Sequence, residues 1–125
     1  CYDSTHPSVA RGFVQNGARF ITLETNDAWL KNSSGVRQHF ELAKLRAIEL
    51  RTSIVRSANT GISGIIYPSG AVAHKVYFGE RAVFKGKVPL NQGMSFYTSY
   101  GNVFAQMCFI LTLIQIVWSF RRQKL

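Results

Sequence analysis

The chain has 125 residues, 46% of them hydrophobic and 17% charged, and fifteen Lys and Arg against six Asp and Glu give it a formal charge of +9. That length can bury the core of one domain, and such a charge suits nucleic acid, anionic lipid headgroups or the positive flank of a membrane segment. Its basic residues, among them Arg11, Arg19, Arg37, Lys44, Arg46, Arg51 and Arg56, are interrupted by apolar positions, and no zinc-finger or RNA-recognition signature accompanies them, so nucleic acid is set aside in favour of lipid.

Two cysteines, Cys1 and Cys108, stand at opposite ends and imply no disulfide framework, while His6, His39 and His74 lack ligand spacing. Neither a metal nor another cofactor is expected.

Residues 1–7, Cys-Tyr-Asp-Ser-Thr-His-Pro, have no regular apolar period and end in proline, which predicts a turn leading to a helix over 8–16. Cys1 is a candidate nucleophile. A bare thiol with a pKa of about 8.5 is only a few per cent thiolate at neutral pH, so it needs an activating partner. His6 is a local candidate, although five residues across a proline-terminated turn establish no geometry. A cysteine in first position also fits an amino-terminal nucleophile hydrolase or a lipid-bearing lipoprotein cysteine.

Residues 19–25 predict a mostly buried strand through Phe20, Ile21 and Leu23. It delivers Asn26-Asp27-Ala28-Trp29 to a sheet edge, where loops tend to carry function. Trp29 also reads as a half-buried packing residue, Asp27 as a cap or turn residue, and Glu24 as a solvated strand-end charge. Phe40, Ala43, Ala47 and Leu50 then recur at three- and four-residue steps, with Leu42, Leu45 and Ile48 widening the stripe. That pattern predicts a core-packing amphipathic helix, capped by Ser33 or Ser34. Gln38 and His39 place two polar groups on its first turns, and His39 reads as a hydrogen-bonded structural histidine or, less readily, as a ligand or base.

A strand follows over 53–58, then a turn, Asn59-Thr60-Gly61, in which Gly61 can take a positive φ. A hairpin of 62–67 and 71–78 turns at Pro68-Ser69-Gly70, and 81–88 predicts a further strand. Arg56 and Asn59 read either as a salt bridge and a turn amide or as members of a site. Alternating strands and helices of this kind predict an α/β layer.

Residues 89–100 carry no Lys or Arg, and Phe96, Tyr97 and Tyr100 crowd their end as an interfacial aromatic belt would. Residues 103–120 follow without a charge, about 27 Å as a helix against a hydrocarbon thickness of about 30 Å. A transmembrane helix is predicted, with Gln106, Thr112 and Gln115 facing neighbouring helices. Arg121, Arg122 and Lys124 after it put the carboxy terminus in the cytoplasm and residues 1–88 on the other side.

The segments NDAW, QHFELAKLRAIELR, VRSANTGISGII and PSG, in that order and spacing, resemble the carboxy-terminal half of the apolipoprotein N-acyltransferases, a membrane branch of the nitrilase (carbon-nitrogen hydrolase) superfamily. The opening Cys1-Tyr2-Asp3 resembles that family's nucleophile motif, usually Cys-Tyr-Glu. The resemblance implies part of a nitrilase-like αββα sandwich over 1–98, a transmembrane helix with an interfacial start over 99–120 and a cytoplasmic basic tail over 121–125. It implies Cys1 as nucleophile, Tyr2 and Asp3 as its immediate shell, and Trp29 as a wall of the acyl-chain pocket flanked by Glu24 and Asp27; Asn26, Asp27, Arg56 and Asn59 are the further candidates for binding substrate or shaping the site. Asp3 keeps the carboxylate on a side chain one methylene shorter, and Thr5 and His6 stand where the family usually has apolar residues.

The implied chemistry takes an acyl chain from a phospholipid through a Cys thioester to the α-amine of a diacylglyceryl-cysteine, at the periplasmic face of a bacterial inner membrane. The family's Glu base and oxyanion-stabilising Lys would come from the chain upstream of Cys1, so residues 1–125 alone are expected to be inactive. A membrane-anchored amidase with the same nucleophile is the alternative, and a noncatalytic basic membrane-binding module is a third reading. An amino-terminal hydrolase or lipoprotein cysteine would leave the downstream motifs unexplained.

Overall fold

The computed structural model describes residues 2–31 and 33–122, without the side chain of Tyr2. A 3-10 turn, Tyr2–Thr5, leads into helix α1, Pro7–Gln15, strand β1, Ile21–Thr25, a second 3-10 turn, Ala28–Leu30, and helix α2, Ser34–Leu50. Strands β2 (Ile54–Ala58), β3 (Ser63–Ile66) and β4 (Val72–Val76) follow, then helices α3 (Phe96–Tyr100) and α4 (Val103–Arg122). The α/β class read from the sequence is the one found.

The sheet runs β1-β2-β3-β4. β1 and β2 are parallel because α2 carries the chain back to the starting end between them. β2, β3 and β4 then meander antiparallel. β1 is an edge strand with no partner on its outer side among the described residues.

One face of α2 makes the core. Val36, Phe40, Ala43 and Ala47 pack on Ile54, Ile62 and Ile66, with Ile21 and Leu23 of β1 at the border. Each such large apolar side chain contributes about 1.5–3 kcal/mol when fully buried. A second cluster of Ala10, Val14 and Leu50, with Ile21 and Tyr97 against it, docks α1 and α3 beside the end of α2.

The buried stripe is narrower than its sequence suggests. Leu45 and Ile48 are 48% and 46% exposed, and His39 and Arg46 are buried instead. The helix meets one sheet face, so a residue stepped to its flank stays wet, while Arg46 is held by Glu49 at 3.2 Å. Ser33 is the cap, its Oγ accepting the Gly35 N–H at 3.3 Å. Ser33→Ala is therefore expected to cost about 1 kcal/mol, read as a small fall in the thermal midpoint.

Phe20 lies just before β1 and is 43% exposed rather than buried. The hairpin turns as expected, with the Gly70 N–H donating to Tyr67 O at 2.8 Å and Gly70 at φ 82°. Residues 81–88 form no strand. Most of them are exposed, Phe84 stacks on His74 at 5.5 Å, and Ser53 Oγ donates to Pro89 O just beyond them. α4 is long and apolar enough to cross a membrane, and none of its apolar window is buried. Cys108 lies exposed on it, and Lys124 falls outside the described residues.

Candidate functional site

Period-two alternation sets the site. In the parallel register Ile21 lies opposite Ile54 and Leu23 opposite Arg56, so Leu23, Thr25 and, one step past the strand, Asp27 share the α2 side of the sheet with Arg56. The two charges meet at the carboxyl end of the parallel pair. Arg56 Nη2 donates to Asp27 Oδ2 at 2.7 Å with both side chains fully buried, and Arg56 Nε donates to Ile62 O at 3.0 Å.

The other carboxylate oxygen is also held. Thr25 Oγ1 donates to Asp27 Oδ1 at 2.9 Å, and His39 Nδ1 lies 2.9 Å from the same atom. His39 Nε2 is 3.1 Å from Ser4 Oγ in the Tyr2–Thr5 turn. His39 Nδ1 also lies 3.2 Å from Arg56 Nη2; because the ionised Asp27 can only accept, the tautomer that bonds it carries the proton on Nδ1, and Nε2 then accepts from the Ser4 hydroxyl.

Burial by itself would raise the Asp27 pKa. The hydrogen bond from His39, the Arg56 charge and the Thr25 hydroxyl outweigh it and hold the carboxyl below its ordinary value. Burial draws Arg56 down from its usual value against the pull of Asp27. Ser4, His39 and Asp27 follow the hydroxyl, imidazole, carboxylate order of a nucleophilic triad. Here Arg56 answers the charge of Asp27 within the same network. The arrangement is a clamp that ties the Tyr2–Thr5 turn to α2 and the sheet, and Ser4→Ala is expected to cost about 1 kcal/mol through that lost hydrogen bond.

Gly61 serves by its small size, not by a positive φ, which it does not have. A Cβ there would lie 2.1 Å from Asp27 Oδ2. Asn26 and Asn59 join the same strand ends. Asn26 Oδ1 accepts the Ala28 N–H at 3.1 Å and faces Asn59 Nδ2 at 3.4 Å, and the Asn59 N–H donates to Thr25 O at 3.0 Å.

Four of the residues singled out in the sequence, Asn26, Asp27, Arg56 and Asn59, are thus brought together. Asp27 is half of a buried ion pair and makes no side-chain cap, and Arg56 realises the salt-bridge reading. Trp29 stands in the same loop, 63% exposed rather than half-buried. Asp3 is exposed in the turn. Cys1 and the side chain of Tyr2 lie outside the described residues, and with Cys1 the pairing with His6.

Ser4 is not singled out by the sequence, and His39 reads there as a structural histidine before it reads as a ligand or base. The signal for His39 was its place beside Val36, Phe40 and Ala43, three, one and four residues away on the buried face. Beside the turn lies a cavity of about 230 Å³ lined by Asp3, Ser4, Val9, Phe13, Leu23 and Arg46 among others, its walls mostly apolar. Among the described residues no three His, Cys, Asp or Glu side chains gather as a metal site.

A carbon-nitrogen hydrolase family model matches residues 1–96. The chain is 38% identical over 125 residues, all of its length and 24% of the relative's, to an apolipoprotein N-acyltransferase of Geobacter metallireducens. It is 34% identical over 125 residues, 99% of its length and 24% of the relative's, to apolipoprotein N-acyltransferase 2 of Treponema denticola. Over 116 residues it is 30% identical to an apolipoprotein N-acyltransferase of Thermotoga maritima, covering 93% of this chain and 23% of that one. The chain spans about a quarter of the length of these curated relatives.

Proposed function

The chain belongs to the carbon-nitrogen hydrolase family, and on that premise we propose that it is the nucleophile-bearing, carboxy-terminal part of a membrane N-acyltransferase that acylates lipoproteins. One observation carries this reading. The hydrolase match stops at residue 96, whereas similarity to the acyltransferases runs over all 125 residues and so includes α4. An apolar helix with no cover suits an enzyme whose two substrates both sit in a bilayer, because tethering replaces a three-dimensional search by a local one.

In the proposed reaction the Cys1 thiol gives its proton to the general base, its sulfur bonds the ester carbonyl carbon of a phospholipid, the C–O bond breaks, and the lysophospholipid leaves as an alcohol carrying that proton, which leaves the thioester. The α-amine of a diacylglyceryl-cysteine then attacks the thioester. The C–S bond breaks, an amide forms, one proton is released and the thiolate returns. Tyr2 and Asp3 form the shell of the nucleophile, Trp29 lines the path of the acyl chain, and the clamp of Ser4, His39, Asp27 and Arg56 holds the turn that follows Cys1. The general base and the oxyanion-stabilising Lys come from the part of the longer protein upstream.

α4 spans the bacterial inner membrane. Arg121 and Arg122 in its last turn support a cytoplasmic end and a periplasmic α/β part, by the excess of Lys and Arg on cytoplasmic flanks.

The test is intact-mass spectrometry of the full-length enzyme after incubation with phospholipid vesicles. A hydroxylamine-sensitive acyl adduct on Cys1 is expected. A thiol that stays bare with phospholipid but is acylated by a small amide would identify the anchored amidase instead, and a thiol bare under both would remove Cys1 from catalysis.

A further inference from the structure

α3 has two unlike faces. Thr98 is fully buried and Ser95 nearly so, and Tyr97 packs against Ala10, Val14 and Leu50. On the other side Phe96 and Tyr100 are 69% and 65% exposed, with ring centroids 4.9 Å apart. Gly101 and Asn102 alone separate this aromatic pair from α4, and the stretch 89–100 carries no Lys or Arg.

The far end of α3 is gripped from α1. A five-residue helix leaves carbonyls without intrahelical donors. Arg11 Nε donates to Thr98 O at 2.8 Å and Arg11 Nη2 to Ser99 O at 2.9 Å. Gln15 Nε2 adds a third bond, to Thr98 O at 3.0 Å. A planar guanidinium suits two adjacent acceptors in a way that a single ammonium does not. At the near end Ser95 Oγ accepts the Thr98 N–H at 3.0 Å and donates to Glu49 O of α2.

We propose that α3 is an interfacial foot. Phe96 and Tyr100 rest in the lipid headgroup layer of the bilayer that α4 enters, and the Arg11 fork fixes the α/β body to that foot at one height and tilt. The occupant is lipid because the rings stand seven and three residues before the start of α4, where amphipathic aromatic rings settle at the membrane–water boundary. The two residues between α3 and α4 leave a swivel there, so the height and tilt of the body are set through α3 and the fork and not through α4. α1 follows the Tyr2–Thr5 turn directly, so the fork also relates that turn to the bilayer surface. The proposal rests on α4 spanning a membrane.

The experiment uses full-length protein with its own cysteines replaced and single nitroxide labels at Phe96→Cys, Ile110→Cys or Tyr77→Cys, in phosphatidylethanolamine/phosphatidylglycerol vesicles. Accessibility to oxygen and to a water-soluble nickel chelate should place position 110 in the hydrocarbon, position 96 at headgroup depth and position 77 in water. If position 110 is deep and position 96 is as aqueous as 77, the foot is wrong while the membrane reading stands. If position 96 excludes both reagents, another protein segment covers it and the foot is again wrong. If position 110 is aqueous, the membrane reading fails and takes the foot with it.

For the fork, the distance distribution between labels at 96 and 77 is measured by pulsed dipolar spectroscopy. It should broaden in Arg11→Ala and broaden less in Arg11→Lys, which keeps the charge but not the paired donors. An unchanged width in both variants overturns the fork.

Discussion

Replacing Asp27 by Ala is expected to destabilise the protein by about 3–5 kcal/mol, the usual consequence of removing one partner from a buried ion pair. The guanidinium of Arg56 is fully buried, so without the carboxylate its charge has neither a counter-ion nor water. His39 and Thr25 lose their shared acceptor as well. Denaturant unfolding of the solubilised protein measures the cost, and the double variant Asp27→Leu/Arg56→Met should be less destabilised than Asp27→Ala alone, since it leaves no orphaned charge. A double variant as unstable as the single would refute that account.

The same pair sets an acid limit. The folded Asp27 carboxyl sits below its ordinary value, so the folded state binds fewer protons there than the unfolded chain does. Its contribution is present above the unfolded pKa of about 3.9 and is lost as pH falls through the lower, folded value. Unfolding midpoints measured from pH 6 downward should therefore drop below about pH 4 in the parent by more than in Asp27→Ala.

Gly61→Ala is expected to be nearly as severe for the addition of one methyl group. Its Cβ would lie 2.1 Å from Asp27 Oδ2 and 2.8 Å from Cγ. The carboxylate has little room to retreat, because Arg56, His39 and Thr25 hold both of its oxygens. Overpacking costs about 1–3 kcal/mol, and displacing the carboxylate weakens the ion pair as well, so about 3 kcal/mol in all is expected. A double-mutant cycle isolates the cause. In an Asp27→Ala background the two nearest atoms, Oδ2 and Cγ, are gone and only the Cβ at 2.9 Å remains, so Gly61→Ala should cost less there. Additive costs would place the damage elsewhere.

The elements legible in the sequence were those whose pattern is local. Phe40, Ala43, Ala47 and Leu50 identify α2 without reference to the rest of the chain, and Pro68-Ser69-Gly70 identifies the hairpin turn. Residues 81–88 misled because their residues favour strand, yet β preference describes fit to a neighbouring ladder, and this segment joins none. Leu45 and Ile48 misled because hydrophobicity alone does not say how wide a face its partner covers. α3 escaped notice because its Ser95 cap is recognisable only once the polar run is known to turn helical.

The site was half visible. Asn26-Asp27 and Arg56-Asn59 stood out as polar residues at strand ends, but the separation of 29 positions between Asp27 and Arg56 is closed only by the parallel register. Gly61 looked like a turn glycine because nothing in its neighbourhood names the carboxylate that leans on it. Ser4 could not be found from local pattern at all, since its partner His39 lies 35 residues away.

β1 gives the sheet a bare rim on one side among the described residues. Amide and carbonyl groups left open along such a rim recruit any extended backbone of matching length, and a second molecule can supply it as readily as a neighbouring segment. Unless that rim is covered, molecules should zip together side by side along it, and its covering favours single molecules over joined ones.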